Sequence, residues 1–129
     1  YLASPYSHPC PAVREARFQA VCRQAAEMLR CGIPVFAPIA HSHAIAAHGL
    51  PLDWAFWQRF DRPFIELCSE LWVLTLDGWQ ESCGVQAEIA LARELEKPVV
   101  LVEPMNDQTP VAVSRAGAGR TGRSSDATP

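Results

Sequence analysis

Residues 70–104, ELWVLTLDGWQESCGVQAEIALARELEKPVVLVEP, hold two short apolar runs separated by a turn and a stretch of helical character. ELWVLTL reads as a strand and SCGVQAEIALARELEK as a helix. PVVLVEP reads as a second strand, near-continuously apolar as central strands of parallel sheets are. Two parallel strands need a crossover, and the helix supplies one, right-handed as such units almost always are. Early in that otherwise apolar helix stands one carboxylate, Glu88, flanked by Ala87, Ile89 and Ala90.

The same alternation extends toward the amino end. YLAS is a short apolar strand closed by Pro5. From Pro11 to Arg30, Val13, Ala16, Ala20, Val21, Ala25, Met28 and Leu29 recur at helical spacing, with Pro11 suited to the first turn and Gly32 to the C′ stop. IPVFAPI follows as a strand closed by Pro38, and residues 41–49 as a His- and Ala-rich connection. LDWAFWQRFDRPFIELC is an amphipathic helix with Asp53 as N-cap and a kink or restart at Pro63. This β-α-β-α-β-α-β order predicts an α/β domain over residues 1–104, a Rossmann- or flavodoxin-like three-layer α/β/α sandwich with a parallel sheet of four to five strands. After Glu103 the chain turns Gly-, Ser-, Thr-, Ala- and Arg-rich without periodicity. Residues 105–129 therefore read as a flexible C-terminal tail in which TPVAV could add one short strand.

Composition bounds the function. A chain of 129 residues, 49% hydrophobic and 19% charged, suits one core. A net charge of −3 gives no electrostatic case for polymeric nucleic acid. No apolar run approaches the roughly 20 residues that cross a bilayer. The chain opens on YLASP with no signal-peptide pattern, and the absence of an initiator Met predicts that a residue or more precedes it. Cys10, Cys22, Cys31, Cys68 and Cys83 are odd in number and lack C-x-x-C spacing, which predicts reduced thiols in a cytoplasm and argues against zinc through cysteine.

In open α/β sheets, ligands sit at the carboxyl ends of the strands. That rule selects Ser4–Ser7, Pro38–His43, Asp77–Gly84 and Glu103–Met105. In the turn DGWQESCG, Ser82 and Gly84 would leave backbone N–H groups free for an anion such as phosphate. Glu88, one turn further, leans back toward that crevice. An acid near a helix start also stabilises through the dipole by about 0.3–1 kcal/mol, and spacing alone does not separate the two roles. Cys83 fits a small residue in a tight turn, or a thiol of lowered pKa at a helix start.

Three features together resemble the nucleoside 2-deoxyribosyltransferase-like superfamily: YLASP at the first strand, Asp61 in the middle helix, and LDGWQESCGVQAEIALARELEKPVVLV with its Gly-x-x-x-Glu and A…KPV passage. The resemblance spans residues 1–103 and is closest to the superfamily's small bacterial proteins. It implies cleavage or transfer at the N-glycosidic bond of a nucleoside or nucleoside 5′-monophosphate. Glu88 would attack the anomeric carbon, Tyr1 would orient that carboxylate, and Asp61 would bind the sugar or assist proton transfer to the leaving base. Relatives acting on free nucleosides carry an acid six residues before the glutamate, whereas the nucleotide-cleaving branch has serine. Ser82 therefore points to a 5′-phosphate and to hydrolysis rather than base exchange.

Ser4, Pro5, Asp77 and Gly84 are expected at the substrate from their strand-end positions. His41 or His43 would line the pocket and protonate or hydrogen-bond the base, and Trp79 would stack on it or serve a subunit interface. Trp57 and Phe60 are expected to pack on the sheet. No metal or organic cofactor is expected, and a homo-oligomer, dimer or tetramer, is. Two rival readings remain: a non-catalytic nucleotide-binding or sensing module of the same fold, and a metal-dependent hydrolase built on His41, His43 and His48.

Overall fold

The computed structural model describes residues 1–106. The expected tail at 105–129, apart from its first two residues, and the TPVAV segment lie outside them. Three parallel strands, β1 (Leu2–Ala3), β2 (Leu71–Leu74) and β3 (Val99–Val102), form a sheet in the order β1-β2-β3. Four helices accompany them: α1 (Pro11–Arg30), α2 (Pro38–Ala46), α3 (Trp54–Leu67) and α4 (Cys83–Glu94).

The registers are Leu2 opposite Trp72 and Leu71 opposite Val99, so β2 is central. Alternation of side chains then sorts the core. Tyr1, Ala3, Leu71 and Val73 meet Ile65 of α3 and Val85, Ile89 and Ala92 of α4 on one face. Leu2 and Leu74 meet Val21 and Met28 of α1 on the other, with Ala37 and Ile39 at the start of α2. Helices therefore cover both faces of a small parallel sheet.

Two expectations are corrected. The sheet among the described residues has three strands, not four to five, because IPVFAPI forms no ladder: residues 33–37 are outside any strand and Pro38 and Ile39 belong to α2. Leu2 N–H donates to the Phe36 carbonyl at 2.8 Å. The next rung of a parallel pair would come from the N–H of residue 38 to the Leu2 carbonyl, and Pro38 has none. Pro38 instead occupies the first turn of α2, so the expected His- and Ala-rich connection is largely helical. Second, among the described residues PVVLVEP forms an edge rather than a central strand. Its burial is partial and Leu101 is 56% exposed.

Elsewhere local chemistry sets the element ends as expected. Asp53 caps α3 by accepting from Phe56 N–H at 3.0 Å, and Pro63 lies inside α3 without ending it. Gly32, at φ 73°, stops α1. Lys97, the lysine of the KPV passage, closes the far end of α3. Its Nζ donates to the carbonyls of Ile65, Glu66 and Cys68 at 2.7, 2.5 and 2.5 Å.

Candidate active site

The helix α4 explains how a glutamate comes to be buried here. Val85, Ile89 and Ala92 mark its core-facing stripe, and Glu88 falls on that same stripe. Its side chain is 5% exposed and reaches the hydroxyl of Tyr1, which donates to Oε1 at 2.8 Å. Burial pushes the Glu88 carboxyl up to about 8; the Tyr1 hydrogen bond opposes this and the Asp61 charge adds to it. Tyr1 is itself buried, which, with the Glu88 charge beside it, holds its hydroxyl well above the ordinary phenol value. It is therefore a permanent donor to Glu88. Asp61, half-buried in the middle of α3, is raised to about 6 by burial, with His41 pulling the other way.

These carboxyl groups line a cavity of about 620 Å³ at the carboxyl ends of β1 and β2. That is the size range of small-molecule sites. Its walls come from the β1 exit (Ser4, Pro5, Tyr6), the start of α3 (Trp54, Trp57) and the start of α4 (Ser82, Gly84). Ser82 is the N-cap of α4, its Oγ accepting from Val85 N–H at 3.3 Å, so its own proton stays available to a ligand. Ser4 is 7% exposed and its Oγ has no hydrogen-bond partner within the described residues. A buried hydroxyl left in that state is costly, and a ligand atom would satisfy it.

Of the expected site residues, Glu88, Asp61, Ser4, Pro5, Ser82 and Gly84 line one cavity, with Tyr1 behind Glu88. Four others do not line it. His41 is exposed on α2, near Asp61 only through its charge. His43 faces α1, where its ring stacks on Phe18 at 4.2 Å between centroids. The Asp77 side chain is exposed, and Trp79 packs into the core against the α3–α4 face instead of standing in the crevice. Among the described residues no three His, Cys, Asp or Glu side chains converge as a metal site requires, so His41, His43 and His48 do not form one.

The expectation that Trp57 and Phe60 pack on the sheet also fails. Trp57 lines the cavity, its indole N–H fixed to the Pro51 carbonyl at 2.7 Å, and Phe60 is 45% exposed.

Sequence reasoning did not find Arg17, the only cation lining the cavity among the described residues. It is placed mid-helix on α1 and donates to the Ser7 and Asp77 carbonyls at 3.0 and 3.1 Å, bridging the loops after β1 and β2. Gly78, at φ 86°, leaves room for it: a Cβ there would come within 3.2 Å of Nη2. Trp54 was missed as well. The available signal was its place in the first turn of a helix that starts at the ligand end of the sheet.

The fold and this site define a small parallel α/β domain with a carboxylate-floored cleft at its strand ends. Residues 1–104 match the family described as a domain of unknown function (DUF1937), and the chain belongs to that family. No curated protein matches it.

Proposed function

We propose that this domain cleaves or transfers the N-glycosidic bond of a nucleoside or nucleoside 5′-monophosphate, hydrolysis being preferred, with Glu88 as nucleophile. The observation that carries the reading is the buried Glu88 carboxyl on a 2.8 Å hydrogen bond from Tyr1, at a cavity lined also by Asp61. Displacement of the base by Glu88 gives a glycosyl ester, and a second displacement by water or an incoming base releases the sugar with retained configuration. Trp54 and Trp57 supply aromatic surface for a base. Ser82, the α4 N-terminus and Arg17 offer donors to a 5′-phosphate, although Glu81 on the same wall opposes a second negative charge.

Helices on both faces of a parallel sheet support the flavodoxin-like form of the fold. The exposed stripe Phe60, Phe64 and Leu67 on α3 supports a homo-oligomer. Five free thiols suit a reducing cytoplasm, and among the described residues no helix is long and apolar enough to cross a membrane.

The test is release of free base from a panel of nucleosides and 5′-monophosphates, measured as a function of pH. With its carboxyl at about 8, Glu88 is ionised in roughly a tenth of molecules at pH 7. A nucleophile must be ionised, so activity on a substrate whose base departs without a proton should climb from pH 6 toward 8. A decline over that range would remove Glu88 from the nucleophile's role. The same carboxyl, neutral in most molecules, favours a second reading: a non-catalytic nucleotide-binding module whose buried acid donates a hydrogen bond to its ligand. Binding without base release at any pH would establish that reading instead.

A further inference from the structure

Three side chains outside the carboxylate pair form a continuous hydrogen-bonded line ending in a cavity-lining residue. Glu15 Oε2 on α1 lies 2.8 Å from His43 Nε2 on α2, and His43 Nδ1 lies 2.6 Å from the hydroxyl of Tyr6. Tyr6 follows β1 directly and lines the same cavity as Glu88 and Asp61. The imidazole is held in place twice over, stacked on Phe18 with ring planes 14° apart and edge-on to Tyr6 at 5.6 Å. Glu15 is in turn fixed by Gln19 at 2.9 Å and stays largely in solvent. The charged groups facing the Tyr6 hydroxyl are Arg14 and Glu15, both from α1, besides His43 itself. Burial keeps the phenol above its ordinary value, so it stands as a neutral O–H donor.

Such an arrangement of acid, imidazole and hydroxyl, on a tyrosine that lines the cavity, is the geometry by which a proton is moved to or from a bound ligand. We propose that Tyr6 is the proton donor to the leaving base and that His43 and Glu15 are the positioning residues that resupply it. The inference rests on the glycosidic reading above. In the first step the C1′–N bond breaks with its electron pair going to the base, while a Glu88 oxygen bonds to C1′. In the form of the enzyme that carries protons on both His43 nitrogens, the Tyr6 proton passes to the base and the Nδ1 proton passes to the Tyr6 oxygen. Nε2–H stays on Glu15. In the second step water attacks C1′, the ester bond returns its electrons to Glu88, and the water proton moves through Tyr6 back to Nδ1. Atoms and charges balance, and one relay serves as acid and then as base.

The experiment compares a purine 5′-monophosphate with its N7-methylated analogue, whose base is already cationic and departs without a proton. Tyr6→Phe should lower turnover of the unmethylated substrate about 100-fold or more, the usual scale of general acid catalysis, and leave the methylated one within a few-fold of wild type. His43→Gln should give the same selective loss. Glu15→Gln, a near-isosteric change on an exposed side chain that leaves the fold intact, should give a smaller loss with the same selectivity. Equal losses on both substrates, or none on either, would overturn the relay and leave a packing cluster between α1 and α2. Wild type that releases base from neither substrate would overturn the glycosidic reading itself, a result separate from any pattern among the variants.

Discussion

The two ends of the sheet are built on opposite terms. At the amino end of the strands, strong donors are matched to backbone acceptors. Lys97 closes three carbonyls at the end of α3, Tyr1 N–H donates to Glu70 O at 3.0 Å, and α4 ends in a pair of capping bonds. At the carboxyl end, Glu88 is buried against a phenol rather than a cation, Asp61 is raised beside it, and the Ser4 hydroxyl has no partner among the described residues. One end is arranged for stability. The other carries groups that a stability argument would replace, and such local inconsistency is what a functional site looks like.

The sharpest way to break this comparison is Glu88→Gln. Base release should fall about a thousandfold or more, as for other removed nucleophiles, while the protein becomes less sensitive to pH. The carboxyl sits at about 8 in the folded chain against an ordinary 4.5. Below 4.5 both states hold the proton. Between 4.5 and 8 only the folded state does, so its stabilising effect drains away as pH rises toward 8. Urea midpoints of the wild type should therefore fall from pH 5 to pH 8, and those of Glu88→Gln should fall less. An unchanged slope would mean that the cost does not reside at this glutamate.

Lys97→Met probes the other end. Leaving three carbonyls, two of them partly buried, without their ammonium should destabilise by about 2–4 kcal/mol, given the worth of charged hydrogen bonds. Turnover per folded molecule should stay near wild type. A loss of turnover at constant folded fraction would show that the ends are coupled.

Tyr1→Phe is a subtler cut, since the ring and its packing remain. Its hydrogen bond is what holds Glu88 down against burial, so the variant's carboxyl should rise further. The rising limb of the pH–rate profile should move to higher pH. At pH 7 turnover should fall, and the loss should shrink as pH rises. A uniform loss at every pH would assign Tyr1 to packing alone.

How much of this was legible in the sequence follows from which residues carry local signals. The helices α1, α3 and α4 announce themselves by periodicity and by Pro11, Gly32 and Asp53 at their ends. Periodicity cannot count ladder bonds, however, so IPVFAPI resembled a strand although Pro38 removes the rung that would make it one. Nor does apolarity tell a central strand from an edge, and β3 was misplaced for that reason. At the site, Glu88 was visible because a charge on an apolar stripe is anomalous, and the strand-end rule gave it a location. Arg17, Trp54 and Trp57 were not visible as cavity walls: a mid-helix arginine and two helix-start tryptophans satisfy the same pattern whether they face core, solvent or ligand. Trp79 erred the other way, placed in the crevice by its loop although the loop folds it into the core.

The smallest expected effect tests the stable end at one backbone angle. α1 and α4 stop with the same two bonds. Gly32 N–H reaches Leu29 O and Ile33 N–H reaches Met28 O, both at 2.9 Å; Glu96 and Lys97 repeat this to Arg93 and Ala92 at 3.0 and 2.8 Å. Both stops need a left-handed residue, at φ 73° and 54°, but only α1 uses glycine. Strain at a non-glycine residue there costs about 1–2 kcal/mol, whereas glycine's greater freedom in the unfolded chain costs about 0.4–1 kcal/mol. Glu96→Gly should therefore stabilise by the difference, about 0.5–1 kcal/mol, read as a shift in denaturant midpoint. The reciprocal change, Gly32→Ala, should destabilise by a similar amount. A Cβ at residue 32 would meet nothing within 4 Å, so the penalty there is conformational rather than steric. Shifts of the same sign in both variants would sink the account, because only the backbone angle links them.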